Sequence, residues 1–374
     1  MKFIHIADVH WGARPEREQT FGRIREQEIK ETFQRVIDHA NKQQVDLLLI
    51  AGDLFDQPPT QQELREVDYL LSRLNHTRTV LIAGNHDHLE PHDAFSQYKW
   101  NSEVYLLDGK QRDHISFEDL ETTIYGFSYW KNRITKPLYD RMKPDESESS
   151  DFSILLAHGG DESHIPIQRE ALKWSGFDYI ALGHIHKPMK VGSELYRYCG
   201  TPLACSVSEA QQQKGIIMVE MGAKGEVKTT VLPLEPLRQV KVVKGTLEEV
   251  LKESCKDYVT VILTDKADLD VIDMQERIRL AFPNLLEIRR ENLRKADYTR
   301  TLQTEELLDP YELCCSFLKD LDEEEKTILT DACKILVLKG DAIHLVEGEV
   351  FNIKITYPYD LRVAESILGG NGVC

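Results

Sequence analysis

Five apolar runs along this chain each stop abruptly in carboxylate, amide or imidazole side chains, and that repetition limits the folds open to it. "KFIHIADVHWG" is apolar from Phe3 to Ala7 and then offers Asp8 and His10; "VDLLLIAGDLFD" is apolar from Leu47 to Ala51 and then offers Asp53 and Asp56. "LIAGNHDHLE" continues the run from Val80 and presents Asn85, His86 and Asp87, while "FSILLAHGG" ends in His158 and "YIALGHIHKP" in His184 and His186. Apolar runs bounded by turn residues read as buried strands. Polar residues just past the carboxyl ends of such strands line the ligand crevice of an open α/β sheet. One Gly-Asn turn would be an ordinary loop. Five such ends at the edge of one sheet are expected to converge on a single site.

The side chains gathered there, Asp8, His10, Asp53, Asn85, His158, His184 and His186, mix carboxylate, amide oxygen and imidazole without thiolate. That set suits a borderline-hard divalent ion, Mn²⁺ first, with Fe²⁺ and Zn²⁺ as competitors, and argues against a structural zinc site. Seven ligands exceed the needs of one ion. Two ions roughly 3.5–4 Å apart, bridged by a carboxylate, would use them all and form a clamp for in-line attack on phosphorus. His86 is not needed as a ligand and is free to protonate a leaving oxygen. Its expected carboxylate partner is Asp56, with Asp87 as the alternative. His5, His39, His76, His88, His92, His114, His164 and His344 are expected to be structural, because a lone histidine is more often that than a ligand.

Strand and helix alternate from Met1 to about Pro236, with "REQEIKETFQRVIDHANK" and "QQELREVDYLLSRL" as helices, so residues 1–236 read as a layered α/β domain. Residues 237–296 read as a small α/β cap, and 297–374 as a helical segment and tail in which "DPYELCCSFLKDL" has an amphipathic face. The net charge of −17 argues against indiscriminate binding to nucleic acid. Arg14 and Arg17, and Arg289 and Arg290, stand out as local basic clusters that would face DNA or form a solvated surface. No apolar run approaches the roughly 18 residues of a membrane span, and the first strand leaves no room for a signal peptide, so the cytoplasm is expected. The seven cysteines form no CxxC pair and are read as free thiols.

Taken in order, "DVH", "GDLFD", "GNHD", "AHGG" and "GHIH" resemble the motif set of the calcineurin-like metallophosphoesterase superfamily. With "GHIHKP" followed by "YCGTPLACSVSEAQQQKG" and a small α/β cap, residues 1 to about 300 are similar to the SbcD-type DNA-repair exonucleases. The resemblance implies a layered β-sandwich flanked by helices. It assigns one metal to Asp8, His10, Asp53 and His186, the other to Asp53, Asn85, His158 and His184, and catalysis to His86. It also implies a manganese-dependent exonuclease and endonuclease acting at DNA ends, a homodimer, and a coiled-coil ATPase partner of the SbcC type. The loop with Arg14 and Arg17 departs from the family's shorter "HLG" form, and the region after Ala296 follows its pattern only loosely. A phosphoprotein phosphatase would typically place an arginine after Asp56, where this chain has Gln57. The remaining rivals are an esterase for small phosphodiesters, a nuclease without the ATPase, and a non-catalytic scaffold.

Overall fold

The structure is a computed structural model that describes residues 1–291 apart from 110–112, 146–149, 211, 224 and 266–270. The expected C-terminal helical segment, 297–374, lies outside the described residues.

Strands β1 (Lys2–Ile6), β2 (Leu47–Ala51), β3 (Arg78–Ile82) and β4 (Val104–Leu106) lie side by side and parallel. A second sheet holds β5 (Asp113–Phe117), β6 (Thr122–Gly126), β7 (Phe152–His158), β8 (Tyr179–Gly183), β9 (Met189–Lys190) and β10 (Tyr196–Tyr198), in the order β5-β6-β7-β8-β10-β9. Strands β11 (Gly215–Met221) and β12 (Val227–Pro233) then return to the first sheet and extend it antiparallel beyond β1. A third, all-parallel sheet comprises β13 (Val240–Gly245), β14 (Tyr258–Leu263) and β15 (Leu285–Arg290).

The continuity of the apolar runs follows from burial on both faces. Along β2, Leu47, Leu49 and Ala51 point between the two large sheets, where they meet Phe152, Ile154, Leu156 and Ala181. The alternate residues Leu48 and Ile50 pack outward against helices α1 (Gly22–Gln43) and α2 (Gln61–Leu71), through Ile29, Phe33, Val36, Leu64 and Val67. Helix α2 begins at a capping box in which Thr60 and Glu63 satisfy each other's backbone N–H groups. On the far side of the second sheet, Leu155, Ile180 and Leu182 pack against Tyr139, Ile165 and Leu172, the last from the short helix α3 (Arg169–Lys173). The architecture is therefore helix, sheet, sheet, helix. It corrects the expectation that all five motif strands share one sheet: β1, β2 and β3 belong to the first, β7 and β8 to the second.

Register places the strand ends level. Ile6 pairs with Ile50, Ile50 with Leu81, and His158 with Gly183, so the loops after β1, β2, β3, β7 and β8 open at one edge of the sandwich. His5 is buried at the interface between the sheets with Nδ1 3.1 Å from the Tyr179 hydroxyl, and burial lowers its pKa to about 3, as befits a neutral structural residue.

The third sheet, with α4 (Leu247–Val250) and α5 (Val271–Ala281), has its own core of Val259, Val261, Ile278 and Phe282. It meets α1 through charge. Glu28 accepts hydrogen bonds from the Tyr258 hydroxyl (2.9 Å) and from Arg238, and the Arg25 guanidinium lies 4.3 Å over the Tyr258 ring. Glu28→Ala strands both donors beside a buried arginine and is expected to destabilise the fold by roughly 2–4 kcal/mol. The urea midpoint followed by circular dichroism measures it; an unchanged midpoint would deny this joint an energetic role.

Candidate metal centre

Backbone strain marks the site before any side chain does. Asp8 (φ 54°), His10 (φ 51°), Asp53 (φ 50°) and His184 (φ 96°) all occupy the left-handed region, which costs non-glycine residues on the order of 1 kcal/mol each and persists only where the surroundings enforce it. Enforcement is visible. Asp8 N–H donates to the Gly52 carbonyl (3.1 Å), His10 N–H to Asp53 (3.1 Å) and Trp11 N–H to Leu54 (2.8 Å), so the loops after β1 and β2 run as a short ladder. Glycines supply the room. A Cβ on Gly84 would overlap the Asp53 carboxylate, and one on Gly52 would overlap the His158 ring.

Four groups of donor atoms result among the described residues, two of them being His10 with Asp53 and His86, and Asp161 with His164 and His184. Asp8, His10 and His186 form the third, with the Nε2 atoms of the two histidines 3.2 Å apart. Asp53, His158 and His184 form the fourth. The Asn85 Oδ1 lies 3.0 Å from both His158 Nε2 and His184 Nδ1, and His158 Nε2 is 3.2 Å from Asp53 Oδ2. The Asp8 carboxylate also accepts the His184 backbone N–H at 3.0 Å. The structure thus brings together all seven residues expected as ligands, most of them buried.

The far nitrogen of each imidazole is faced by an acceptor. His158 Nδ1 donates to the Ala51 carbonyl (2.8 Å), His184 Nε2 to Asp161 (2.6 Å); His186 Nδ1 lies 3.4 Å from Glu209 and His10 Nδ1 3.2 Å from Asp56. Such partners fix the tautomer and turn the opposite nitrogen inward as a bare acceptor. With Nδ1–H committed, His158 Nε2 confronts an amide oxygen and a carboxylate. A cation resolves that crowding, and this donor set fits one.

The charged groups of the site also act on one another. Burial alone would depress the His158 imidazolium, but Asp53 outweighs it and raises the pKa to about 9. Burial would likewise raise Asp53, yet His158, His10 and His86 hold its carboxyl well below the usual range. For His10, burial opposes the proton, and Asp56, Asp53 and Asp8 overcome it.

His86 stands apart. Its side chain is 45% exposed, Nδ1 donates to the Asp56 backbone carbonyl (3.0 Å), and the Asp56 carboxylate is farther away at 3.9 Å. The Asp56 carboxylate instead faces His10, so its side chain and its backbone serve different histidines. Asp87, the alternative partner, is fully buried and accepts the N–H groups of Phe55 (3.1 Å) and Gly84 (2.6 Å), which ties two site loops together. Burial and then Asp53 push its pKa up to about 7.

Asp161, His164 and Glu209 join the site without having been expected there. Asp161 accepts from His164 Nδ1 as well as His184, and Glu209 is secured by Lys214 (2.6 Å), Ser206 and Thr201. The signals were Asp161 straight after "AHGG" and Glu209 within "SVSEAQQQKG". Among the expected DNA-facing residues, Arg14 and Arg17 line a cavity of about 420 Å³ that reaches Asp56, although Arg14 is paired with Glu26 at 2.8 Å. Arg289 and Arg290 lie on β15 of the third sheet, with Arg289 held by Glu287. Cys199, Cys205 and Cys255 are free thiols, and among the described residues no helix is long and apolar enough to cross a membrane.

Comparison with known proteins agrees with this geometry. A sequence profile described as calcineurin-like phosphoesterase matches residues 1–188, and an SbcD-type profile described as type 5 capsule protein repressor C-terminal domain matches residues 234–321. The chain is 24% identical over 322 residues to the SbcD subunit of the SbcCD nuclease of Staphylococcus epidermidis, covering 76% of this chain and 84% of that protein. It is 27% identical over 286 residues to the same subunit from Staphylococcus saprophyticus, covering 68% and 74%. Over 198 residues it is 34% identical to the DNA double-strand break repair protein Mre11 of Sulfurisphaera tokodaii, about half of each chain.

Two substitutions test the centre. Gly84→Ala is expected to displace Asp53 and remove metal while the fold is retained, measured as metal content beside circular dichroism; wild-type content would show that Asp53 need not sit where Gly84 lets it. Asp161→Asn is expected to weaken metal binding roughly 10- to 100-fold in calorimetric titration, and an unchanged affinity would reduce Asp161 to a bystander.

Proposed function

The chain belongs to the calcineurin-like phosphoesterase family, and within it to the SbcD-type nucleases; from that premise we propose a cytoplasmic, Mn²⁺-dependent exonuclease and endonuclease that hydrolyses DNA ends in double-strand-break repair. In this reading residues 1–236 are the nuclease domain, 237–296 cap it over DNA, and 297–374 dock a coiled-coil ATPase of the SbcC type, with the nuclease acting as a homodimer. The observation that carries it is the set of four imidazoles, each faced on its outer nitrogen, converging with Asp8, Asp53 and Asn85 on adjoining donor groups.

Asp8, His10, Asp53 and His186 would hold one ion, and Asp53, Asn85, His158 and His184 the other. When bound, such a pair activates water and neutralises charge developing on the phosphodiester. The chain's own residues do the rest. Asp53 presents one oxygen toward His158 while the other accepts the His86 backbone N–H (2.9 Å), so the bridging position and the reactive histidine are set by one carboxylate. The Asp56 carbonyl orients the His86 ring, leaving Nε2 to protonate the departing sugar oxygen. Partial exposure suits that task, because the ring must meet a substrate arriving from solvent.

The test is degradation of end-labelled linear duplex DNA with Mn²⁺ or Mg²⁺, beside hydrolysis of bis-p-nitrophenyl phosphate. Wild type is expected to degrade DNA with Mn²⁺ and to stop on chelation. His86→Ala should keep its metals and lose roughly a hundredfold or more in turnover; full activity in that variant would remove His86 from the acid role. Hydrolysis of the small ester alone would move the substrate away from DNA.

A further inference from the structure

We propose that the exposed strip running from Lys131 to Lys143 and on to Trp174 is a track for a single DNA strand leading to the metal centre. The inference rests on the nuclease reading above and names a surface for its substrate. Within a chain of net charge −17, the stretch "KNRITKPLYDRMK" carries five cations against one carboxylate. Ile134, Tyr139 and Met142 point inward to the core of the second sheet, while Lys131, Arg133, Lys136, Arg141 and Lys143 all face solvent. Among the described residues none of these five has a carboxylate within salt-bridge distance, and Asp140 is occupied by the Gln168 N–H at 3.1 Å. Beyond Pro144 the sequence turns acidic with Asp145, Glu146 and Glu148.

The strip is stitched to the site. Ile134 N–H donates to the Ser163 carbonyl (3.0 Å), Ile165 N–H to Ile134 (2.6 Å), and an Arg133 guanidinium nitrogen to Ser163 Oγ (3.3 Å). That same turn carries Asp161, which braces His184, and His164. In the other direction helix α3, which carries Arg169 and Lys173 and is followed by Trp174, packs on residues 139–141. Trp174 is 74% exposed, and the Lys173 ammonium lies 5.4 Å from its ring. A cavity of about 460 Å³, with Glu170 as its one carboxylate, opens between these residues and Val191–Ser193, and one of about 620 Å³ lies among Lys136, Arg141 and Lys143. Exposed cations without a carboxylate partner among the described residues, followed by an exposed aromatic face, are what a flexible strand uses, phosphates on the cations and a base stacked on the ring.

The experiment uses the full chain with Ca²⁺ in place of Mn²⁺ and follows the anisotropy of a short fluorescein-labelled oligo(dT) across a salt series. A second assay with Mn²⁺ follows bis-p-nitrophenyl phosphate. Combining Lys136→Glu, Arg141→Glu and Lys143→Glu is expected to weaken oligonucleotide binding at least tenfold and to flatten the slope of log K against log salt by about 2. Trp174→Ala is expected to weaken it roughly tenfold with the slope unchanged. Both variants should hydrolyse the small ester at the wild-type rate, which also certifies their fold. Wild-type affinity and slope in the triple variant would overturn the track while leaving the nuclease reading intact, and wild-type affinity in Trp174→Ala would overturn the stacking end. A wild-type protein that hydrolyses the small ester but binds no oligonucleotide would remove the nuclease reading and the track together.

Discussion

Everything at the working edge of this molecule depends on crowding carboxylate, amide and imidazole groups into one buried corner. His158 Nε2, Asn85 Oδ1 and Asp53 Oδ2 crowd together, each oxygen about 3 Å from the nitrogen, with the His158 Nδ1 proton already given to Ala51. In water such an arrangement would relax. Here it is held by burial of His158 and Asp53, by left-handed backbone at Asp8, His10, Asp53 and His184, and by glycines that leave space only for these rings and carboxylates. A divalent cation held there would balance these carboxylates, and its binding would then add to the stability of the fold.

Bracing is layered outward from that centre, and the layers come from distant sequence. Asp161 reaches His184 from the turn after β7, and Glu209 reaches His186 from a 3-10 turn beyond β10 while Lys214 compensates its charge. Desolvation would push the Glu209 carboxyl up, but His186 and Lys214 hold it well below the usual range, so it remains a charged acceptor. Burial also divides the labour. The residues that converge on the donor groups are largely enclosed, whereas His86 is half open and held by one backbone carbonyl.

The donors were legible in the sequence because each follows an apolar run of strand length, a pattern governed by local spacing. The partition of the strands between two sheets was not, because β7 and β8 are as apolar as β2; only long-range pairing with β6 and β10 separates them. Asp161 was hidden by the Gly159–Gly160 turn, whose positive φ angles (138° and 131°) swing the chain back over His184. Asp56 was legible as a participant, yet the split between its carboxylate and its carbonyl depends on a backbone turn that residue types do not encode. The cations of residues 131–143 follow neither a helical nor a strand period, so their common outward face emerges only once Ile134, Tyr139 and Met142 are seen buried beneath them.

Helix α1 joins the metal edge to the small third sheet. Its middle, Ile29, Phe33 and Val36, packs on the first sheet, while Arg25 and Glu28 at its start reach Tyr258 and Arg238. Arg25 also donates to the Cys205 carbonyl (2.8 Å) and sits 2.9 Å from Glu16. Cys205 is followed directly by Ser206, whose hydroxyl donates to Glu209, the acceptor facing His186. A buried guanidinium that is stacked on a ring and bonded to backbone at once has few alternative placements. The third sheet and the metal-bracing turn therefore share one anchor. A shift of either must break a buried charge contact, a cost of several kcal/mol if its partner is lost altogether, and this gives the joint between the third sheet and helix α1 a defined geometry.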